Sequence, residues 1–275
     1  MRIIGGKYRR RILVSPPEGS MTRPFPDMVK EAMFNLLRGH FEGESVLDCF
    51  SGTGTMGLEA ASRGASHVVC VERDRKVTRV LEENIEMLGA EDEVEVVTGD
   101  ALGPATIHRC PKPVHIIFFD PPYPMVQDSE DWVRVKAQFT RLISMLDDTG
   151  YAVIRTPWPA VHRKEVAAIV EEEENGTKKK RSRDETEIES IDGEEMIEID
   201  LNDPQAEEMM DAFEKDLARA SSKPKFELTD IDLKMDGAIG PETHSYGQMA
   251  IHMYMRDTSV TDPDSASVAV PEAKD

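Results

Sequence analysis

Short apolar segments alternate with amphipathic segments between residues 45 and 157 of this chain. The apolar segments are rich in branched and aromatic residues, which is typical of strands that are buried on both faces of a parallel sheet. The intervening segments carry helix signals, and the clearest of them opens with Asp74 and ends on Gly89. The predicted strands are SVLDCF (45–50), HVVCVE (67–72), VEVVTGD (94–100), HIIFFD (115–120) and YAVIRTP (151–157).

Two more apolar segments near the C-terminus complete the predicted sheet. KFELTDIDL (225–233) and GQMAIHMYM (247–255) are close enough in sequence to pair as antiparallel strands. The predicted fold class is therefore α/β, with a doubly wound, mostly parallel, seven-stranded sheet and helices on both of its faces. An apolar stripe at helical spacing predicts one more helix, over residues 27–37, which packs on the core.

The formal net charge of −20 is distributed unevenly along the chain. Residues 1–40 hold eight Lys or Arg against three acids, whereas residues 171–222 hold seven basic residues against nineteen acids. The second segment has few aromatics, so its first half is predicted to be mobile, and a helix is predicted over residues 204–220. We expect a basic N-terminal arm with a helix (1–40), a core (41–170), an acidic insertion before the last two strands (171–222), the final strands of the core (223–256) and a disordered tail (257–275).

Several function classes are disfavoured by what the sequence lacks. It has no run of 18 apolar residues, and its basic N-terminus is not followed by the apolar core of a secretory signal. Cys49, Cys70 and Cys110 have no CxxC spacing, so they suggest neither a disulfide framework nor a zinc site. We expect a soluble monomer of the reducing cytoplasm, with no metal and no membrane partner.

The residues that follow each strand are candidates for a binding site, because ligands of such sheets bind beyond the carboxyl ends of the strands. The first strand contains Asp48 and leads into a turn in which Gly52 and Gly54 let backbone N–H groups face a ligand. Glu72 ends the second strand and can accept from ribose hydroxyls, while Asp100 ends the third and can accept from an adenine amino group. Each feature alone is explained at least as well by a plain turn or a helix cap. Together, at three strand ends, they favour a nucleoside site.

The turn does not match two common phosphate-binding motifs. It lacks the lysine of GxxxxGK[ST], and GTGTMG begins one residue late for a GxGxxG pyrophosphate site after this strand. A nucleoside without phosphates fits better. S-adenosylmethionine is such a ligand, and its cationic sulfonium is tolerated in an acidic crevice that contains Asp48, Glu72, Asp100 and Asp120.

The sequence FFDPPYP, residues 118–124, places an acid, two prolines and an aromatic at the end of the fourth strand. The Asp120 carboxylate and the Pro121 carbonyl can accept the two N–H groups of an exocyclic base amine, which directs the nitrogen lone pair towards a methyl donor. The prolines fix the backbone, and Tyr123 offers a face on which a base can stack. A proline-stopped strand explains the prolines, but it does not explain the acid and the aromatic together.

The DPPY sequence after an apolar strand, with the LDCFSGTG strand and turn, resembles the amino-methyltransferases among class I S-adenosylmethionine enzymes. The N-terminal half resembles the bacterial 16S ribosomal RNA guanine-N2 methyltransferase family through MRIIGGKYRRRI, the TRP at 22–24, DMVKEAMFNLL and LDCFSGTGTMGLEAASRGA. The likeness covers residues 1–157 and returns weakly at SYGQMAIHMYMRD, but it leaves out the acidic insertion. It implies that the target guanine is held by Asp120, Pro121, Pro122 and Tyr123, and the cofactor by Asp48, Ser51, Gly52, Thr53, Gly54, Glu72, Arg73, Asp100 and Ala101.

The basic arm suits a nucleic-acid partner, because its cations can contact phosphates and its tyrosine can stack on a base. Taken alone, the same residues are equally well explained as a solvated charge run on an edge hairpin. Because the same chain carries the FFDPPYP segment, which suits the methylation of an amine, contact with ribosomal RNA or the small ribosomal subunit is the better interpretation of the basic arm. The predicted RNA-binding residues are Lys7, Tyr8, Arg9, Arg10, Arg11 and Arg23.

Three functions remain open from the sequence. The first is methyl transfer from S-adenosylmethionine to the N2 amine of a guanine in small-subunit ribosomal RNA. The second is DNA adenine-N6 or cytosine-N4 methylation, since the same corner handles any exocyclic amine, although no target-recognition domain is recognisable. The third is a non-catalytic ribosome-assembly factor, against which the intact glycine turn and Asp120 argue.

Overall fold

The computed structural model describes residues 1–17, 19, 26–166 and 225–259. Contacts within the chain define one compact unit of Met1–Arg163 with Leu228–Asp275, and a second unit of Lys164–Glu227. The predicted acidic insertion, its helix over residues 204–220 and the tail beyond residue 259 lie outside the described residues. Among those that are described, no helix is long and apolar enough to cross a membrane.

Helices and strands alternate through the first half of the chain, as the hydrophobic pattern predicts. The helices are α1 (Asp27–Leu36), α2 (Thr55–Ser62), α3 (Arg75–Leu88), α4 (Pro104–Arg109), α5 (Tyr123–Gln127) and α6 (Ser129–Ile143). The strands are β1 (Ser45–Cys49), β2 (His67–Glu72), β3 (Val94–Thr98), β4 (Val114–Phe119), β5 (Leu146–Pro157), β6 (Val161–Val166), β7 (Lys225–Asp230), β8 (Ala238–Tyr246) and β9 (Met249–Arg256).

The main sheet has seven strands in the order β3-β2-β1-β4-β5-β9-β8. The five strands from β3 to β5 are parallel, and β9 and β8 complete the sheet in antiparallel pairings. The strand order reverses between β1 and β4, where Asp48 pairs with Phe118. The doubly wound, mostly parallel fold that the sequence predicts is confirmed, and the end of β4 lies beside the end of β1.

The strand prediction is wrong for one member of the main sheet. Residues 225–233 were expected to pair with residues 247–255, but β7 forms a separate two-stranded sheet with β6, and β9 pairs with β8 instead. The β8 segment carries Gly240–Pro241, and its register with β9 shifts between Ile239 and Glu242. Proline and a bulge break the apolar alternation that identifies a strand, and β8 is largely solvent-exposed, so its sequence gives little signal.

Helix α3 shows how the local sequence sets an element's bounds. The Asp74 carboxylate caps its first turn by accepting from Lys76 N at 2.8 Å, and Gly89 ends it in the left-handed conformation. The two faces of the sheet bury separate apolar clusters. One cluster contains residues of the arm (residues 1–17) and of α1, α2 and α3, and the other contains residues of α5 and α6.

The arm is held against α2 by a buried carboxylate, Glu59, which is fully excluded from solvent. Its two oxygens accept from Ile4 N at 2.7 Å and Gly5 N at 2.8 Å, and Arg63 Nε donates to it at 2.9 Å. The buried Lys30 ammonium lies 3.5 Å from the same carboxylate and donates to the Arg2 carbonyl at 2.6 Å. We call Lys30, Glu59 and Arg63 the arm anchor.

The glycine pair at the start of the arm allows this close approach. Gly6 has a φ of +74°, and a Cβ atom built there would lie 1.7 Å from the Ser62 carbonyl oxygen. The Lys7 N–H donates to that carbonyl at 2.7 Å, and the Tyr8 N–H donates to the Ser62 hydroxyl at 2.9 Å. Any side chain at residue 6 would therefore push the arm away from α2.

Candidate active site

A cavity of about 1120 Å³ opens at the carboxyl ends of the central parallel strands. It is larger than the 300–1,000 Å³ of typical small-molecule sites, so it has room for a cofactor and part of a second substrate. Most of the residues predicted from the sequence for cofactor and target base line it together. They are Asp48, Ser51, Gly52, Thr53, Glu72, Arg73, Ala101, Asp120, Pro121, Pro122 and Tyr123.

The turn after β1 is a tightly packed loop with an unusual backbone. Phe50, Gly52 and Gly54 all have positive φ, at 60°, 55° and 85°. A Cβ atom at residue 54 would lie 2.3 Å from a methyl group of Leu81, so only glycine fits there between the turn and α3. Gly54 does not line the cavity but shapes the turn that does. The Ser51 hydroxyl is buried and has no hydrogen-bond partner among the described residues, which leaves it available to a ligand.

Glu72 closes the opposite side of this turn at the end of β2. Its carboxylate accepts from Gly52 N at 3.0 Å and from Asp74 N at 2.8 Å. These two bonds fix the side chain in place, and each oxygen keeps a further lone pair for a ligand hydroxyl. Glu72 is therefore positioned before a ligand arrives, as the predicted ribose contact requires.

Of the two acids in the centre of the cavity, Asp48 is fully buried and Asp120 is partly buried. The pKa of Asp48 is raised to about 8, chiefly by burial and also by the neighbouring charges of Asp120 and Glu72, against a hydrogen bond from Gly57 N at 2.8 Å that lowers it. Burial also raises the pKa of Asp120, against the opposing charge and hydrogen bonds of Arg155. The site thus holds acids whose charged forms are disfavoured in the ligand-free protein and would be stabilised by a cationic ligand.

Asp100 is arranged differently from the other predicted cofactor residues. Its side chain is exposed and accepts from Leu102 N at 3.0 Å, and the cavity is lined by its neighbours Gly99 and Ala101. Asp100 thus holds the turn after β3 and is not brought into the cavity with the acids of β1, β2 and β4. The predicted contact between Asp100 and an adenine amino group would require a change in this side chain.

Arg155, in β5, is a site residue that the sequence analysis missed. Its guanidinium donates to both oxygens of Asp120, from Nε at 2.6 Å and from Nη2 at 2.7 Å, and lies 5.6 Å from the centre of the Tyr123 ring. This bidentate pair fixes the orientation of the carboxylate. The only signal in the sequence was one charged residue within the otherwise apolar YAVIRTP strand.

Asn84, in α3, is a second residue that sequence reasoning did not find. It is fully buried, and its side chain pairs with the backbone of Val14, accepting from the N–H at 2.7 Å and donating to the carbonyl at 3.3 Å. The same amide donates to the Thr53 carbonyl at 3.1 Å. One side chain therefore connects the arm to the glycine turn of the cavity.

The predicted RNA-binding residues divide into two groups. Lys7 pairs with Glu93, and the Tyr8 hydroxyl donates to the Gly89 carbonyl at 3.3 Å, so both residues also fix the arm on the body of the protein. Arg9, Arg10 and Arg11 are exposed, and no side-chain hydrogen bond or ion pair occupies them within the described part of the chain. Arg23 lies outside the described residues.

The fold and the cavity define a class of protein: a Rossmann-like methyltransferase fold in which the DPPY corner of β4 meets the glycine turn of β1. Among solved structures, the "Putative methyltransferase yhhF from Escherichia coli" shares this fold, with a TM-score of 0.56 at 23% identity over 94% of this chain and 98% of that one. Residues 1–182 match the family described as "Conserved hypothetical protein 95", and the chain belongs to that family.

Two curated relatives give this membership a functional context. The chain is 34% identical over 156 residues to the "Putative rRNA methyltransferase YlbH" of Bacillus subtilis, which covers 56% of this chain and 80% of that protein. It is also 34% identical over 151 residues to the "Ribosomal RNA small subunit methyltransferase D" of Escherichia coli K12, covering 55% of this chain and 69% of the relative. The family predicted from the N-terminal motifs is confirmed.

Proposed function

We propose that this protein transfers a methyl group from S-adenosylmethionine to the exocyclic N2 amine of a guanine in small-subunit ribosomal RNA. One observation carries the proposal: the Asp120–Tyr123 corner and residues Ser51, Gly52 and Thr53 of the glycine turn line the same cavity. The names of the curated relatives, which are ribosomal RNA methyltransferases, support this substrate over DNA.

The residues of the cavity fit a cationic nucleoside that carries no phosphate. The carboxylates Asp48, Glu72 and Asp120 line the cavity. Of its arginines, Arg155 is paired with Asp120, and the glycine turn lacks the lysine of a phosphate-binding loop. Glu72 would accept from the ribose hydroxyls, and the unpaired Ser51 hydroxyl would bond the amino-acid part of the ligand. S-adenosylmethionine, when bound, supplies a methyl carbon that is made electrophilic by its positively charged sulfur.

Asp120 would orient the target amine for in-line attack. Each Asp120 oxygen accepts one bond from Arg155 and keeps a lone pair, so the carboxylate can also accept an amine N–H. With S-adenosylmethionine bound, the nitrogen lone pair would form a bond to the methyl carbon while the carbon–sulfur bond breaks, with its electrons remaining on sulfur. The nitrogen would then be cationic and would have to lose a proton, for which Asp120, whose pKa is raised by burial, is a suitable acceptor.

The target base would be held by stacking and must leave its helix or be unpaired already. Tyr123 stands at the corner beside Asp120, and Trp158, which is partly exposed, also lines the cavity. Phosphate contacts would come from the exposed arginines of the arm. These contacts position the RNA without reading its sequence, so the choice of nucleotide depends on the shape of the RNA near the cavity.

The test is methyl transfer from labelled S-adenosylmethionine to small ribosomal subunits, naked ribosomal RNA and DNA in parallel, followed by nucleoside analysis. The proposal predicts N2-methylguanosine in RNA. Methylated adenine or cytosine in DNA would support the alternative enzyme instead. A folded protein that binds RNA but methylates none of the three substrates would favour a non-catalytic assembly factor.

The variant Asp120→Asn tests the site itself. Because Asp120 positions the amine and does not hold the donor, methyl transfer should fall roughly a hundredfold or more while cofactor affinity stays nearly unchanged. Asp128→Asn is a matched control, since Asp128 caps α6 outside the cavity and asparagine caps a helix equally well. Near-normal turnover in folded Asp120→Asn protein would remove the role proposed for this carboxylate.

A further inference from the structure

A second cluster of ionisable side chains lies at the other edge of the main sheet. Glu44 immediately precedes β1, His115 is the second residue of β4, and Asp147 is the second residue of β5. These strands are adjacent and parallel, so their amino-terminal ends meet at one edge. Strands of five to six residues span roughly 17–20 Å, which separates this cluster from the cavity at the carboxyl ends.

The three side chains converge on a common point. His115 Nδ1 lies 2.7 Å from an oxygen of Asp147 and 3.9 Å from an oxygen of Glu44, and one ligand atom from each residue lies within 4.8 Å of the other two. His115 is buried, whereas the two carboxylates are partly open to solvent. In a tetrahedral site with bonds of about 2.0 Å, donor atoms are about 3.3 Å apart, which falls between the two distances from His115.

A fourth side chain, His40, contacts the nitrogen of the His115 ring that faces away from the two carboxylates. Its Nδ1 lies 2.9 Å from His115 Nε2, and the two rings stack with their centres 5.1 Å apart. A metal-binding histidine usually donates its second ring N–H to such a partner, which fixes its tautomer. In the ion-free protein, His115 Nδ1–H donates a hydrogen bond to Asp147 at 2.7 Å. A cation that replaces this proton leaves Nε2–H to donate to His40, and it then lies between the Nδ1 lone pair and two acceptor-only carboxylates.

We propose that Glu44, His115 and Asp147 form a binding site for a first-row divalent cation of the Zn²⁺ type, with His40 as the outer partner of His115. One imidazole and two carboxylates leave a fourth position open to water, and this ligand set suits Zn²⁺ better than Mg²⁺, which prefers oxygen ligands in an octahedron. The site departs from the expectation of no metal, which rested on the cysteine spacing alone.

The chain contains internal controls for this proposal, because other histidines also lie near carboxylates. His67 lies 3.8 Å from Glu95, and His244 lies 2.9 Å from Glu242. Each of these histidines is paired with a single carboxylate, and neither has a second histidine behind its ring among the described residues. They should therefore bind Zn²⁺ far more weakly than the Glu44, His115 and Asp147 site.

The experiment uses the full-length, untagged protein after treatment with a chelator. Calorimetric titration with ZnCl₂ should show a site whose affinity falls in Glu44→Gln and in Asp147→Asn by at least the roughly 10- to 100-fold that loss of an outer-shell partner causes. His40→Ala should weaken binding by that same factor. Co²⁺ should give the visible absorption of a tetrahedral complex, and the signal should disappear in the ligand variants.

The controls separate this site from unspecific binding by other acidic residues. His67→Ala and His244→Ala should bind Zn²⁺ and Co²⁺ as the parent protein does, and Mg²⁺ should not compete. Glu44→Gln changes a partly exposed side chain, so it should leave the folded protein intact, as circular dichroism would verify. Zn²⁺ binding that is absent from the folded parent protein, or unaltered in both Glu44→Gln and Asp147→Asn, would overturn the proposal.

Discussion

The arm anchor and the cavity each contain a buried carboxylate, but the two carboxylates differ in how many donors and cations surround them. Glu59 in the arm anchor receives two backbone N–H groups and the guanidinium of Arg63, and the ammonium of Lys30 lies beside it. Asp48 in the cavity receives a single backbone hydrogen bond from the described residues and has Asp120 and Glu72 as charged neighbours. One carboxylate is fully compensated within the protein, and the other is not.

This difference distinguishes an acid whose charge the fold itself satisfies from an acid whose charge it does not. A buried carboxylate is stable when donors and cations surround it, and it destabilises the fold when they are missing. Glu59 therefore belongs to the architecture that places the arm. Asp48 is the poorly compensated acid that a cationic ligand would satisfy, so its cost to stability is itself an argument for a binding site.

The largest effect is expected from Glu59→Ala. Removing this carboxylate leaves Lys30 buried without its counter-ion and frees the N–H groups of Ile4 and Gly5, so the free energy of unfolding should fall by about 3 to 5 kcal/mol. Urea denaturation measures the change. Glu83→Ala, an exposed acid on α3, should change stability by less than about 0.5 kcal/mol. Equal losses in the two variants would show that Glu59 contributes no more to stability than an exposed acid.

A smaller effect of opposite sign is expected from Asp48→Asn. The folded-state pKa of Asp48, about 8, is raised above its ordinary value of 3.8, so its contribution to stability is full below pH 3.8 and is lost as the pH rises towards 8. Asparagine does not titrate and can still accept from Gly57 N. The variant should therefore gain stability relative to the parent protein across this pH range, by at most about 1.4 kcal/mol per pH unit.

Denaturation of both proteins at pH 5, 6 and 7 measures this gain. A difference in stability that stays constant with pH would show that Asp48 does not titrate in this range. Cofactor binding should be weakened in the same variant, because Asp48 lines the cavity. If Asp48→Asn is more stable than the parent protein but binds the cofactor less well, then Asp48 lowers stability and contributes to cofactor binding.

The smallest effect on the fold is expected from replacing Arg9, Arg10 and Arg11 with alanine. These exposed arginines lie on the arm, whose position is set by the arm anchor, so stability and cofactor affinity should hardly change. RNA affinity should fall, and the slope of log affinity against log salt should decrease by about 0.7 to 0.9 for each phosphate that the arm no longer neutralises.

The matched control changes three basic residues of α6, Arg134, Lys136 and Arg141, which belongs to the opposite face of the sheet. This control alters the net charge by the same amount. If both triple variants lower RNA affinity and salt dependence equally, total charge explains the binding and the arm has no special role.

The features that could be predicted from sequence are those with local causes. Asp120 and Glu72 follow apolar strands, and the rule that ligands bind at strand ends points to both. Glu59, Arg155 and Asn84 were missed because their partners lie 55, 35 and 70 residues away, and no spacing in the sequence announces such pairs. The β8 strand was missed because Pro241 and a shift in register interrupt its pattern.

The small β6–β7 sheet marks a position at which the fold can accommodate inserted residues. The segment between Val166 and Lys225 leaves the described structure at the end of β6 and re-enters it at the start of β7, and these two strands pair with each other. The free-energy cost of closing a flexible loop, which is entropic, rises by only about 0.6 kcal/mol for each doubling of loop length. A lineage could therefore lengthen, shorten or replace this segment with little thermodynamic penalty, and an engineer could graft a reporter domain at the same point.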